Sequence, residues 1–193
     1  MPASTPLETP RLRLRRLRAS DEPDLIALDS DPEVMRYVGS PAGVRSAAET
    51  AERARGRILA AERGEGEPLG FWRIEGRGDH AFYGLGALVR MPDGADVPSV
   101  ADVEIAYRLA PTAWGKGIAT EAAEALVAHA LGTLVLPQVV AVTYPENRAS
   151  QRVLDKLGFE RRGLTEYKGV QAIFFVLTRD AWAVRPRPGG SVD

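Results

Sequence analysis

The chain has 193 residues, 45% of them apolar and 26% charged, with a formal net charge of −1 at pH 7; this suits one domain around one core and supplies no overall field for nucleic acid. It contains no cysteine, which excludes disulfides, thiolate metal sites and a cysteine nucleophile. No apolar run approaches the ~20 residues of a membrane span, and Met1-Pro2-Ala3-Ser4-Thr5-Pro6 lacks the pattern of a signal peptide, so a soluble cytoplasmic protein is expected.

Residues 11–17 alternate as Arg-Leu-Arg-Leu-Arg-Arg-Leu, the period of a half-buried strand, and Ser20 with Asp21 offers a cap for a helix through Leu28. Residues 46–62, rich in Ala, Glu and Arg, read as an exposed helix ending at Gly64, with a turn from there to Pro68. Segments 69–75 and 79–89 read as neighbouring strands joined by Gly76-Arg77-Gly78, followed by a Pro-, Asp- and Gly-rich loop over 91–101. A strand over 102–109 is stopped by Pro111, and a helix runs from about residue 117 to 131. The β-branched run 139–143, a helix over 147–156 and strands over 159–166 and 171–178 complete a β-α-β-β ending. One domain over 9–182 is expected, with flexible ends at 1–8 and 185–193, the latter holding two prolines and two glycines without apolar periodicity.

The most informative local feature is Gly115-Lys116-Gly117, placed where a strand has ended and a helix is about to start. Backbone N–H groups at such a helix start have no partner within the helix and attract an anion. The helix dipole adds roughly 0.3–1 kcal/mol, and side-chain-free glycines let phosphates come close. A tight turn before a helix uses glycines in the same way. The Walker pattern fails, because Gly117 follows Gly115-Lys116 where Ser or Thr is required, and a dinucleotide fingerprint is met only loosely at Thr120. Gly84-Leu85-Gly86 lies inside a predicted strand and is a poorer phosphate loop still.

The loop resembles the Arg/Gln-x-x-Gly-x-Gly/Ala signature of the GNAT acetyltransferases, with Gly117 and Ala119 at the small positions and Trp114 where Arg or Gln is usual. The run Trp114-Gly115-Lys116-Gly117-Ile118-Ala119-Thr120-Glu121-Ala122 is similar to the RimJ/RimL-like branch. So are residues 9–15 (Thr-Pro-Arg-Leu-Arg-Leu-Arg), 104–109 (Glu-Ile-Ala-Tyr-Arg-Leu) and 147–159, in the same order. The resemblance implies an α/β (α+β) GNAT fold: a mixed, mostly antiparallel central sheet of six to seven strands with a splayed parallel pair, flanked by helices. It also implies an N-acetyltransferase that moves an acetyl group from acetyl-CoA, its co-substrate, directly to a primary amine on a protein N-terminus or a small molecule. Neither a metal, nor nucleic acid, nor a membrane is expected as a partner, and a homodimer through the last strands is compatible with the family.

By the same resemblance, the free backbone of Tyr107, Arg108 and Leu109 pairs with the pantetheine arm. Trp114, Gly115, Lys116, Gly117, Ile118 and Ala119 hold the diphosphate with Thr120 close by, and Asn147 and Ser150 meet the cofactor arm near its sulfur. Asn147 is also a favoured helix cap, and Ser150 lies three residues on, on the same helical face. From the residues themselves, Glu104 is the best general base, since a carboxylate in an otherwise apolar central strand must be paired or working; Asp102 is a weaker substitute. The tyrosine that serves many family members as general acid falls on Leu154, which leaves Ser150 or a water for that role and keeps open a catalytically silent acyl-CoA-binding module. Tyr144 is placed in the substrate cleft. His80 and His129 lack metal-ligand spacing, and Phe71, Trp72, Phe174, Phe175 and Trp182 read as core.

Overall fold

The computed structural model describes residues 5–38, 46–64, 68–91 and 102–185. Its eight-stranded sheet runs in the order β1 (Leu7–Glu8), β2 (Leu12–Arg16), β3 (Gly70–Gly76), β4 (Phe82–Arg90), β5 (Val103–Leu109), β6 (Gln138–Thr143), β8 (Val170–Thr178) and β7 (Glu160–Tyr167). Every neighbouring pair is antiparallel except β5 and β6. The architecture is the expected one with a further strand: Leu7 and Glu8, assigned by sequence to the flexible end, pair with Leu14 and Arg13. The expected loop at 91–101 lies, beyond Met91, outside the described residues.

Two helical layers sandwich the sheet. The helices α4 (Ile118–Ala128) and α5 (Arg148–Leu157) cover one face. There Ala122, Leu126, Leu154 and Leu157 join Leu12, Ile74, Ile105, Val139 and Phe175 in the largest core cluster. On the opposite face, α1 (Glu22–Ser30), α2 (Pro32–Met35) and α3 (Ala47–Glu62) bury Leu25, Leu28, Val34, Ala54 and Ile58 against Leu85. A smaller cluster of Met91, Val140, Phe174 and Val176 lies on that same face of β6 and β8. A short α6 (Arg179–Val184), capped by the Thr178 hydroxyl, follows β8. Trp72, Phe174 and Phe175 are buried, while Phe71 and Trp182 pack partly buried against the two larger clusters.

Three local expectations are corrected. The β3–β4 connection falls after Gly76, which still pairs with Leu12 inside the sheet. The helix for which Ser20 and Asp21 offered a cap does begin at Glu22 with Asp21 as its N-cap, but the Asp21 side chain makes no cap bond to it. The outward arginines of β2 are not solvated either: Arg15 is covered by the segment entering α1 and grips Asp21 with two 2.8 Å bonds, while its Nε reaches Glu75 at 3.1 Å. Arg73 also bonds Glu75, at 2.9 Å, so the alternating Arg-Leu pattern here marks a strand with a buried apolar face and a half-buried ionic one.

Burial pushes the Asp21 carboxyl up, but the Arg15 hydrogen bonds, the Arg18 N–H and the charges of Arg15 and Arg73 outweigh it and hold the group below its ordinary 3.8. A depressed folded value means that this contribution is fully present above the unfolded pKa and is lost as pH falls through the folded one. Thermal midpoints measured between pH 5 and about 2.5 should therefore fall more steeply for the wild type than for Asp21→Asn, which is the less stable protein at pH 7. Parallel profiles would show that Asp21 carries no such linkage.

Candidate active site

The parallel pair β5–β6 touches in register at one place, Glu104 opposite Val140. Beyond it the strands part, so Tyr107, Arg108 and Leu109 pair only with β4, opposite Gly86, Leu85 and Gly84. Gly84 permits this closeness: a Cβ there would lie 2.2 Å from the Arg108 carbonyl oxygen. Glycine at this strand position serves the approach of two backbones and has no part in a phosphate loop.

At the end of β5 the chain turns through Trp114–Gly117 into α4, with Gly115 at φ 72° and Gly117, the N-cap, at φ 76°. These left-handed values favour glycine. No side chain caps α4, so the N–H groups of its first turn, from Ile118 through Thr120, have no acceptor within the helix. Trp114, standing where the family usually has Arg or Gln, places its indole N–H on the Leu109 carbonyl at 2.8 Å and ties the loop to the strand end. From the other side Arg11 donates to the Lys116 carbonyl at 2.9 Å and to Glu121 at 2.6 Å, and the Thr9 hydroxyl donates to Glu121 at 2.6 Å. Sequence reading gave residues 9–15 a strand and a family likeness but no role at the site; here Thr9 and Arg11 brace the loop.

Glu104 projects from β5 onto the face that carries the smaller apolar cluster and is only 7% exposed. Its Oε2 accepts a 2.7 Å hydrogen bond from the Tyr167 hydroxyl, a partner that sequence reading missed. Burial raises the carboxyl's pKa, opposed by this hydrogen bond and by the charge of Lys168. A buried carboxylate with a raised pKa is a stronger base than a solvated one. Asp102 lies two residues earlier on the same strand face and is bound to Gln138 at 2.7 Å.

On the opposite face Tyr107 reaches α5, where its hydroxyl lies 3.1 Å from the Ser150 Oγ. Burial pushes this phenol well above its usual range, so it remains protonated. Asn147 is the N-cap of α5, its Oδ1 accepting from the Ser150 N–H at 3.1 Å. Leu154, at the position of the family's usual tyrosine, is 1% exposed within the core and faces no cleft. The expected residues thus divide into a glycine loop at the mouth of the splay, a hydroxyl pair on one face and a carboxylate on the other.

The Arg108 side chain, in contrast to its backbone, points toward α1 and meets Asp29 at 2.7 Å, and Arg57 of α3 meets the same carboxylate at 2.6 Å. Burial and the repulsion of Arg57 pull the Arg108 guanidinium down to about 10, against the attraction of Asp29. Tyr144, at the end of β6, stacks obliquely against Tyr37 with ring centres 6.0 Å apart. His129 packs edge-on against Trp72, and His80 lies 3.4 Å from Glu75. Among the described residues no group of three or more His, Cys, Asp or Glu could hold a metal ion, and no helix is long and apolar enough to cross a membrane.

Comparison with known proteins agrees with this geometry. The acetyltransferase (GNAT) domain family matches residues 11–160. The Bacillus subtilis N-acetyltransferase YoaA, itself uncharacterized, is 31% identical over 165 residues, covering 82% of this chain and 84% of its own. A GNAT-family acetyltransferase of Bacillus anthracis superposes with a TM-score of 0.73 at 21% identity, over 91% of this chain and 99% of that one. RimL, an acetyltransferase of ribosomal L7/L12 solved with coenzyme A, shares the fold with a TM-score of 0.71 at 22% identity over 91% of this chain and 99% of its own. A family match over most of the length, together with a splayed strand pair and an uncapped glycine-flanked helix start, makes this chain a member of the GNAT acetyltransferases, the acetyl-CoA-dependent acyltransferases.

Proposed function

We propose that the protein is an N-acetyltransferase that moves the acetyl group of acetyl-CoA directly to a primary amine, on a protein N-terminus or a small molecule. The observation that carries the reading is the uncapped start of α4 at the open end of the β5–β6 splay. The first-turn amides of Ile118, Ala119 and Thr120, with the loop Trp114–Gly117 and the charge of Lys116, would receive the diphosphate. The pantetheine arm would lie along Tyr107, Arg108 and Leu109, whose edge toward β6 has no strand partner. Asn147, its Oδ1 committed to the cap, retains its amide NH2 for that arm.

Acyl transfer from a thioester needs a deprotonated amine, a polarised carbonyl and a proton for the departing thiolate. Glu104, directly or through a water, takes the proton of the attacking amine. Backbone N–H groups of the splayed strand polarise the carbonyl, and Ser150, oriented by the Tyr107 hydroxyl, protonates the thiolate. The buried Leu154 cannot supply that proton. The ribosomal-protein substrate of RimL, a fold relative, favours a peptide N-terminus as the first acceptor class to try.

Acetyl-CoA at a hundredfold excess over its Kd should stabilise the fold by about 2.7 kcal/mol, read as a raised Tm. Gly117→Val should abolish that rise, because a β-branched residue is strained at φ 76° and its side chain would stand at the helix start. Thiol release with a panel of amines and N-terminal peptides then separates a transferase from a silent acyl-CoA-binding module. A Tm insensitive to acetyl-CoA would remove the phosphate-loop reading altogether.

A further inference from the structure

Tyr167 lies 63 residues from Glu104 in sequence and three strands away in the sheet, yet their side chains meet at 2.7 Å. Three features of β7 and β8 bring them together. The β7–β8 register shifts between Arg161 and Gly163, where Gly163 takes φ 114°; such a bulge bends the strand and increases its twist. The hairpin then closes through Lys168 and Gly169, at φ 53° and 78°, between the paired residues Tyr167 and Val170. Two central residues with positive φ make the tight hairpin turn whose twist matches that of its strands, which is a rigid connection. Last, Tyr167 packs on the cluster of Met91, Val140, Phe174 and Val176, and the Lys168 ammonium lies 4.7 Å from its ring centre.

We propose that Tyr167 is a positioning residue for the reaction: its hydroxyl fixes the Glu104 carboxylate, in its ionised form, at the edge of the splay. This rests on Glu104 being the general base. One Glu104 oxygen is held by the phenol, which leaves the other to face the amine or its water. The remaining surroundings offer the carboxylate little else. Val89 of β4, Val140 of β6 and Phe174 and Val176 of β8 are apolar. On its own strand Asp102 is bound to Gln138 and Arg108 to Asp29, while Arg57 from α3 is engaged with the same Asp29. Lys168 is the charged neighbour that favours ionisation. A donor to the ionised form lowers a carboxyl's pKa, so removing it makes the base available only at higher pH.

The test is Tyr167→Phe, which keeps the ring and its packing, compared with wild type and Glu104→Gln in full pH profiles of kcat/KM and in thermal melts with and without acetyl-CoA. The expected result for Tyr167→Phe is an acid limb displaced to higher pH. At a fixed pH on the wild-type limb, kcat/KM falls about tenfold, the size of one hydrogen bond to a charged group. The alkaline plateau, the KM for acetyl-CoA and the thermal response to it stay close to wild type. An unmoved limb in Tyr167→Phe, where Glu104→Gln lowers the rate about a hundredfold or more, overturns the positioning role and leaves the base in place. A Glu104→Gln enzyme with wild-type rates overturns the base reading, and the positioning role falls with it.

Discussion

Glu104→Gln lowers kcat by about 10² to 10⁴, the usual contribution of a positioned general base. Glutamine has the shape of glutamate and can still accept from the Tyr167 hydroxyl, so the apolar cluster and the hairpin above it should stay intact. What is lost is a lone pair able to take a proton. Because the attacking amine is charged at neutral pH, the deficit should shrink as pH rises toward the amine's own pKa and free amine becomes available without a base. In the proposed binding mode the diphosphate is held by the loop 114–117 and the start of α4 and the pantetheine arm by the backbone of β5, not by the Glu104 side chain, so the thermal response to the co-substrate should survive. The measurement is kcat and kcat/KM from pH 6 to about 10 with one amine acceptor. A flat, wild-type-like rate from a folded variant would pass the role to another group.

Asp29→Asn should destabilise the protein by about 3 to 5 kcal/mol, the typical effect of removing one partner from a buried ion pair. Asp29 is 4% exposed at its side chain and lies between Arg57 and Arg108, themselves 11% and 14% exposed. Without the carboxylate, two guanidiniums would face each other in a partly dry space between α1, α3 and β5. A guanidinium keeps its proton in proteins, so no proton loss near neutrality relieves the repulsion. Urea unfolding reads the effect as a lowered midpoint with an unchanged slope. A second substitution, Arg57→Gln, should return part of the loss, because it removes half of the stranded charge. A loss below about 1 kcal/mol would mean that water screens the trio as it does a surface pair.

The sequence carried the elements around the site because each is written locally. The β-branched run at 139–143 and the alternation at 103–109 specify strands. Glycines at 115 and 117 allow the left-handed backbone by which the chain passes from β5 to α4. Glu104 stood out because a carboxylate on a central strand conflicts with its surroundings. What could not be read is what the chain brings together from afar. Tyr167 meets Glu104 across 63 residues, Arg11 meets Glu121 across 110, and Arg108 meets Asp29 across 79. None of these partners is unusual in its own neighbourhood. The outward side of β2 misled for the same reason: alternating arginines look solvated until Asp21 and Glu75 close over Arg15. Short α2 and α6 escaped because four- and six-residue helices leave too few turns for an apolar period to show.

The single registered contact between β5 and β6 gives the molecule a mechanical seam. One plate runs from β1 to β5 and the other holds β6, β8 and β7, and a lone rivet at Glu104 and Val140 joins them edge to edge. Across the rest of the seam, among the described residues, the plates are joined by the Asp102–Gln138 and Glu104–Tyr167 hydrogen bonds and by what packs above and below them, chiefly α4, α5 and the Tyr107–Ser150 bridge. An extended molecule laid into that gap would complete the lattice of backbone hydrogen bonds that the polypeptide leaves open. In the proposed binding mode, sheet continuity and co-substrate occupancy are then one variable, and Glu104 sits at the point about which the seam opens.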